Sequence, residues 1–261
     1  MRRMRSGVLT LAVGAMIAGA AGCSAPEKTA AAPAAPPAAG PSPVAQGPVQ
    51  RVVLGDGRDR TASSSVQDWV TYADHVLVVT VTAESRVEPS KKEIERGEGM
   101  IGRNAQLTVD KVLWSAPDAP QAAPKALKMA VAGWVFDNHG NRAGDVKFAM
   151  GGASRLEKGH SYVKAVEWVD DPCSADPNVG TWEGLGSGDT IPYDAGVVGA
   201  GEFEGRVQSL DQARASFQKG ESALRKQIAG ASVSSLLTQL RTTKPRAEAV
   251  RDPRECDLTD R

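Results

Sequence analysis

Basic clusters, histidines and long apolar runs are scarce in this chain of 261 residues. The apolar stretch at residues 8–21 is shorter than the roughly 20 residues that a bilayer-spanning helix needs. It therefore does not read as a transmembrane span. No basic stripe or run of Lys and Arg stands out, which argues against a nucleic-acid partner. The three histidines, His75, His139 and His160, show no i, i+4 spacing, so no His-Glu-x-x-His metal helix exists. No Gly-x-x-x-x-Gly-Lys phosphate loop is present. The stretch Gly184, Leu185, Gly186, Ser187, Gly188 has Leu185 where a serine-hydrolase elbow needs glycine. Asp176, Asn178 and Gly180 lack the remaining ligands of a calcium loop. Asp74, His75, Asp137 and His139 make a metal site only if the fold joins them. The residues therefore nominate no catalytic group, no metal ligand and no cofactor.

What is present begins at the N-terminus. Arg2, Arg3 and Arg5 precede the apolar stretch, and Ala20, Ala21 and Gly22 lead into Cys23. A charged start, an apolar core and small residues form an export signal. Small residues running into a cysteine resemble the lipobox of bacterial lipoproteins. That resemblance implies a diacylglycerol on the Cys23 thiol, cleavage before Cys23, and anchoring on the extracytoplasmic face of the cell membrane. Each buried CH2 contributes about 0.8 kcal/mol, so two or three acyl chains hold stably. An ordinary cleaved signal beside an incidental cysteine is the other reading. The Arg2, Arg3 pair leaves the general secretory and twin-arginine routes both open.

Residues 1–22 are thus expected to be a lipoprotein signal peptide. Residues 23–50 follow as a tether, with Pro26, Pro33, Pro36, Pro37, Pro41, Pro43 and Pro48 set among alanines and no aromatic residue. Such a segment cannot bury a core; as extended polyproline II its reach approaches ~80 Å. Loss of the signal removes three arginines and leaves 28 basic against 31 acidic residues. About 210 residues remain, enough for one large domain or two small ones. With Cys23 lipidated, Cys173 and Cys256 are an even pair in an oxidising space, which favours a disulfide over two thiols. Closing that loop would stabilise by about 4 kcal/mol in the chain-entropy account.

Ser65 precedes Val66, Trp69, Val70 and Ala73, spaced as one face of a short capped helix. Leu77, Val79 and Val81 alternate as a strand. Residues 86–103 are rich in charge and glycine and read as a solvated insertion with one helical turn. Further strands are expected around Leu107, Val109 and 112–114, at Leu127, Met129 and Val131, at Val146, Phe148 and Met150, and over 162–169. A closing strand is expected over 202–208. Ser209 and Gln212 match a capping box. Helical spacing then runs from Leu210 to Ile228, with Gly220 as an interruption, and a second helix carries Val233, Leu236, Leu237 and Leu240.

This pattern predicts an α+β fold: a small antiparallel OB-like β-barrel over residues 51–208, with a short N-terminal helix. Residues 209–261 are expected to be C-terminal helices and a tail packed on it. The run 73–81 with Ala73, Asp74 and His75, the run 107–113 with Val109, Val112 and Leu113, and the run 156–162 with Gly159 and Tyr162 carry a resemblance. They are similar to poorly characterised bacterial exported proteins with an OB-like barrel, across roughly residues 65–207. The resemblance implies a surface domain and no particular activity, because fold does not transmit function. The expectation is a non-enzymatic module that binds an envelope ligand or protein, with Trp134, Trp168 and Trp182 as candidates for stacking on a ligand at a barrel mouth. Two alternatives stand beside it. One is an envelope hydrolase whose acidic residues form an unrecognised pair in a deep pocket. The other is a structural or inhibitory partner of an envelope complex.

Overall fold

The computed structural model describes residues 51–137, 145–217 and 223–247, together with Cys256. The expectations for Cys23, the signal, the tether, His139 and Gly220 lie outside the described residues. In chain order these form β1 (Val52–Gly55), α1 (Val66–Tyr72), β2 (His75–Val87), α2 (Lys91–Arg96), β3 (Glu98–Ser115), β4 (Ala126–Asp137), β5 (Val146–Met150), β6 (Ser161–Asp170) and β7 (Gly180–Gly184). After them come β8 (Thr190–Pro192), β9 (Gly201–Phe203), β10 (Arg206–Gln208), α3 (Leu210–Ser216), α4 (Ala223–Ile228) and α5 (Val233–Thr242).

One mixed sheet runs in the order β1-β5-β4-β3-β2-β6-β7, with β8 on β6. Among the described residues only β1 and β5 pair in parallel; the other pairs are antiparallel. The sheet curls until β7 lies beside β4, yet no ladder hydrogen bonds join them. The fold is therefore α+β, but the expected closed barrel is not seen. β7 holds five residues and ends at Gly184, too short to run the length of β4.

Strand β2 explains the two cores. Its first residues are buried on both faces, so the apolar run there is nearly continuous. Leu77, Val79 and Val81 enter a core inside the curl, with Leu107, Met129, Tyr162 and Val166. Val76 and Val78 face the other way, against Trp69, Leu224, Ile228, Leu236 and Leu240 from the helices. The C-terminal helices thus complete a second core on the outside of the sheet. Ser65 caps α1 by accepting from the Asp68 N–H at 3.0 Å.

Two expectations are corrected. Residues 98–103 are not part of a solvated insertion, because β3 begins at Glu98 and both Ile101 and Arg103 are buried. Only α2, with its Ser90 and Glu93 capping box, matches that reading. Residues 201–208 do not close the sheet; β9 and β10 form a separate two-stranded hairpin. Its turn at Glu204 and Gly205 reverses the chain before it can reach an edge of the large sheet.

Candidate functional site

The approach of β4 and β7 leaves a seam, and its floor is an ion pair. On β6, Tyr162 and Val166 point into the curl. The two-residue period puts Lys164 on that same inward face. Lys164 is 3% exposed, and Asp189 and Thr190 are each 4% exposed. The ammonium donates to Asp189 Oδ1 at 2.8 Å and to Thr190 Oγ1 at 2.9 Å. Asp189 Oδ2 accepts from the Gly186 N–H at 3.1 Å, and the Thr190 hydroxyl donates to Asp189. A buried charge is costly unless paired and hydrogen-bonded, and this one is both. Gly184 makes room for it. A Cβ at that position would stand 2.0 Å from Asp189 Oδ2 and 3.0 Å from Lys164 Nζ.

Three cavities meet at Gly184. The first, about 340 Å³, lies above Lys164 and has Met129, Met150 and Leu156 among its walls. The second, about 440 Å³, runs along the seam past Lys128, Thr181 and Trp182. The third is a groove of about 630 Å³ on the outer face, between Arg58 and Arg60 on one side and Glu167, Trp168 and Glu183 on the other. Asp59 borders the first and third cavities. Its carboxylate accepts from the Ser187 N–H at 2.9 Å and from the Ser187 hydroxyl at 2.7 Å, holding the Gly-rich turn against the N-terminal segment. Glu167 and Glu183 stand directly opposite each other across β6 and β7, and each has an interaction partner.

The three candidate tryptophans separate. Trp168 and Trp182 are cross-strand partners, with ring centroids 5.4 Å apart and an edge-to-face arrangement at 68°. His75 adds a ring 5.1 Å from Trp182. It is buried, and its nitrogens lie 2.8 Å from Ser115 Oγ and 3.0 Å from the Gln121 carbonyl. Trp168 donates from Nε1 to Asp170 Oδ1 at 2.7 Å. Trp134 stands elsewhere on β4, with the guanidinium groups of Arg86 and Arg155 at 5.1 and 5.0 Å from its ring. Cys173 and Cys256 are joined, with S–S 2.02 Å and Cα atoms 4.8 Å apart. The Cys173 loop follows Trp168 directly, and the Cys173 N–H donates to Asp171 Oδ1 at 2.9 Å.

A second polar cluster braces the curl. Glu202, 1% exposed, accepts from the Tyr162 hydroxyl at 2.7 Å and from the N–H groups of Leu156 at 3.1 Å and Gly205 at 2.7 Å. The Arg155 N–H also reaches both its oxygens, at 3.1 and 3.0 Å. Burial pushes the Glu202 carboxyl above the usual carboxylate range, against the pull of these donors. Burial and the neighbouring Glu202 charge likewise raise the Tyr162 phenol. Buried Arg103 donates to the carbonyls of Leu156 and Ala132 at 3.0 and 3.3 Å, and to Glu84 at 2.6 Å. These contacts serve the frame, since every one ends on the chain itself.

Sequence reading missed Lys164 and Asp189. The available signal was a lysine between Tyr162 and Val166 on an otherwise apolar inward face. Asp74 and His75 lie near Trp168 and Trp182, since Asp74 Oδ2 accepts from the Trp168 N–H at 2.6 Å. Among the described residues no group of three His, Cys, Asp or Glu side chains could hold a metal ion. No protein-family model matches the chain, and no curated protein matches it.

Proposed function

We propose that this chain is a lipid-anchored extracytoplasmic lipoprotein whose folded part is a non-enzymatic binding module. The anchor is acylated Cys23, the route outward is its export signal, and the tether holds the folded part away from the membrane. The sheet is read as an OB-like barrel left open between β4 and β7, with the ligand seated in that opening. One observation carries the reading of the site: three cavities converge on Gly184 at an unpaired junction of two strands. Open barrel mouths and sheet edges are places where clefts of this size take ligands. Trp182 lines the seam and Trp168 the outer groove, and the two rings, packed edge to face, are the proposed stacking surface. Trp134 has a different role, because cations already flank its ring.

A photo-crosslinking residue at Thr181 or Lys128, both exposed beside the seam, tests this in intact cells. The expected result is a discrete adduct from these positions and none from a control at exposed Lys226 on α4. Equal labelling from all three positions, or none from any, would remove the seam as the binding site.

A second reading, an envelope hydrolase, has a specific observation in its favour. Glu167, nearly buried, faces Glu183 across the strands at the wall of the outer groove. Paired acids of this kind suit glycoside hydrolysis. Turnover of envelope glycans that is lost in both Glu167→Gln and Glu183→Gln would replace the binding reading with this one.

A further inference from the structure

Resting on the reading of the seam as a binding site, we infer that the cavity over Lys164 takes an uncharged acyl ligand. Its carbonyl oxygen, from an amide or ester, meets the Lys164 ammonium, and its short apolar chain lies against Met129, Met150 and Leu156.

The charge inventory of the cavity decides the class. Lys164 is the ionisable group on its floor, and two of its three N–H donors are engaged by Asp189 and Thr190. Among the described residues, one donor is left for a ligand. Its charge is already compensated by Asp189 at 2.8 Å, so an anion gains little Coulomb attraction. Asp59, Asp189 and Arg155 also border the cavity, and with Lys164 the two acidic and two basic charges cancel. Asp59 is bonded to Ser187, and the Arg155 guanidinium to Glu157, Gly133 and Phe148, so an anion and a cation would each lose hydration without meeting an uncompensated partner. A neutral acceptor escapes both penalties and satisfies the remaining donor.

Shape and polarity agree. Met129, Ala130, Val131 and Ala132 line the cavity from β4, and Met150 and Leu156 add further apolar wall. Methionine walls adapt to irregular apolar groups. The volume of about 340 Å³ lies at the small end of ligand sites and accommodates a short acyl chain. The donor is buried, so a hydrogen bond made there forms away from competing water.

Three probes with one chain and different heads test the class: hexanamide, hexanoate and hexylammonium. Each is titrated into the full chain carrying Cys23→Ser for solubility, with backbone amide resonances as the readout. Hexanamide is expected to shift Gly184, Gly186 and Thr190 and to bind at least about tenfold tighter than either charged probe, because a charged head loses its hydration where the wall charges are already paired. Lys164→Met is expected to erase that preference. Should Lys164→Met fail to fold, Ala132→Phe, which fills the cavity from its rim and leaves the ion pair alone, is expected to abolish the shifts. Equal or tighter binding of hexanoate or hexylammonium overturns the acyl class, as does the absence of seam shifts with all three probes. A Thr181 crosslink that persists in either case would keep the seam and discard the acyl ligand.

Discussion

A methyl group at position 184 is the smallest change that reaches the site. It would enter the space that Asp189 Oδ2 and Lys164 Nζ fill, so the buried pair must part or the strand must shift. Gly184→Ala is expected to cost about 1–3 kcal/mol, the range for overpacking a filled interior, read as a lower urea midpoint. An unchanged midpoint would mean the pair is loosely held. Glu202 gives the second test at this scale. Its folded-state carboxyl is raised by burial, so its neutral form is favoured by folding. The stability it contributes is fully present below the unfolded carboxylate range and is lost as pH rises through the raised folded value. In Glu202→Gln an amide nitrogen must face backbone N–H donors now held by carboxylate oxygens. The variant is expected to be less stable by about 1–3 kcal/mol, with a larger deficit at pH 5 than at pH 8. A deficit that grew with pH would contradict this assignment.

Among elements, α1 is the simplest to probe, because it seats fully buried Trp69 against the outer core. Ser65→Ala removes the acceptor for the Asp68 N–H and is expected to lower stability by about 1 kcal/mol, measured by chemical denaturation; no loss would mean water replaces the cap. This helix was legible in the sequence because cap, spacing and apolar face agree locally. So were the inward residues of β2 and the capping box at Ser209. The first half of β3 was not. Its inward face reads Ile101, Arg103, Ala105, Leu107, and the arginine breaks the apolar alternation. Arg103 is buried only because carbonyls of Leu156 and Ala132, distant in sequence, receive its donors. Lys164 was hidden for the same reason: its partner Asp189 comes from the approach to β8, and only the fold brings the two together. The tryptophans gave chemistry without placement, so Trp134 could not be told from Trp168 and Trp182 by spacing. The open seam was also illegible, since it depends on where β7 stops and not on any residue pattern.

At the scale of the whole molecule, the described body has two cores, and the proposed anchor lies outside the described residues. Among the described residues no helix is long and apolar enough to cross a membrane; the attachment proposed above is the acyl group on Cys23. The Cys173–Cys256 bond closes a loop of sequence separation 83 and ties the chain end to the loop beside Trp168. The anchor and this bond share one premise, a chain that works outside the cytosol. Intact mass spectrometry of the native protein, run with and without reductant, tests that premise most directly. The account predicts a chain beginning at an acylated Cys23, and a mass that rises by two hydrogens on reduction. A chain that keeps its leader with Cys23 unmodified, and shows no change with reductant, would contradict it.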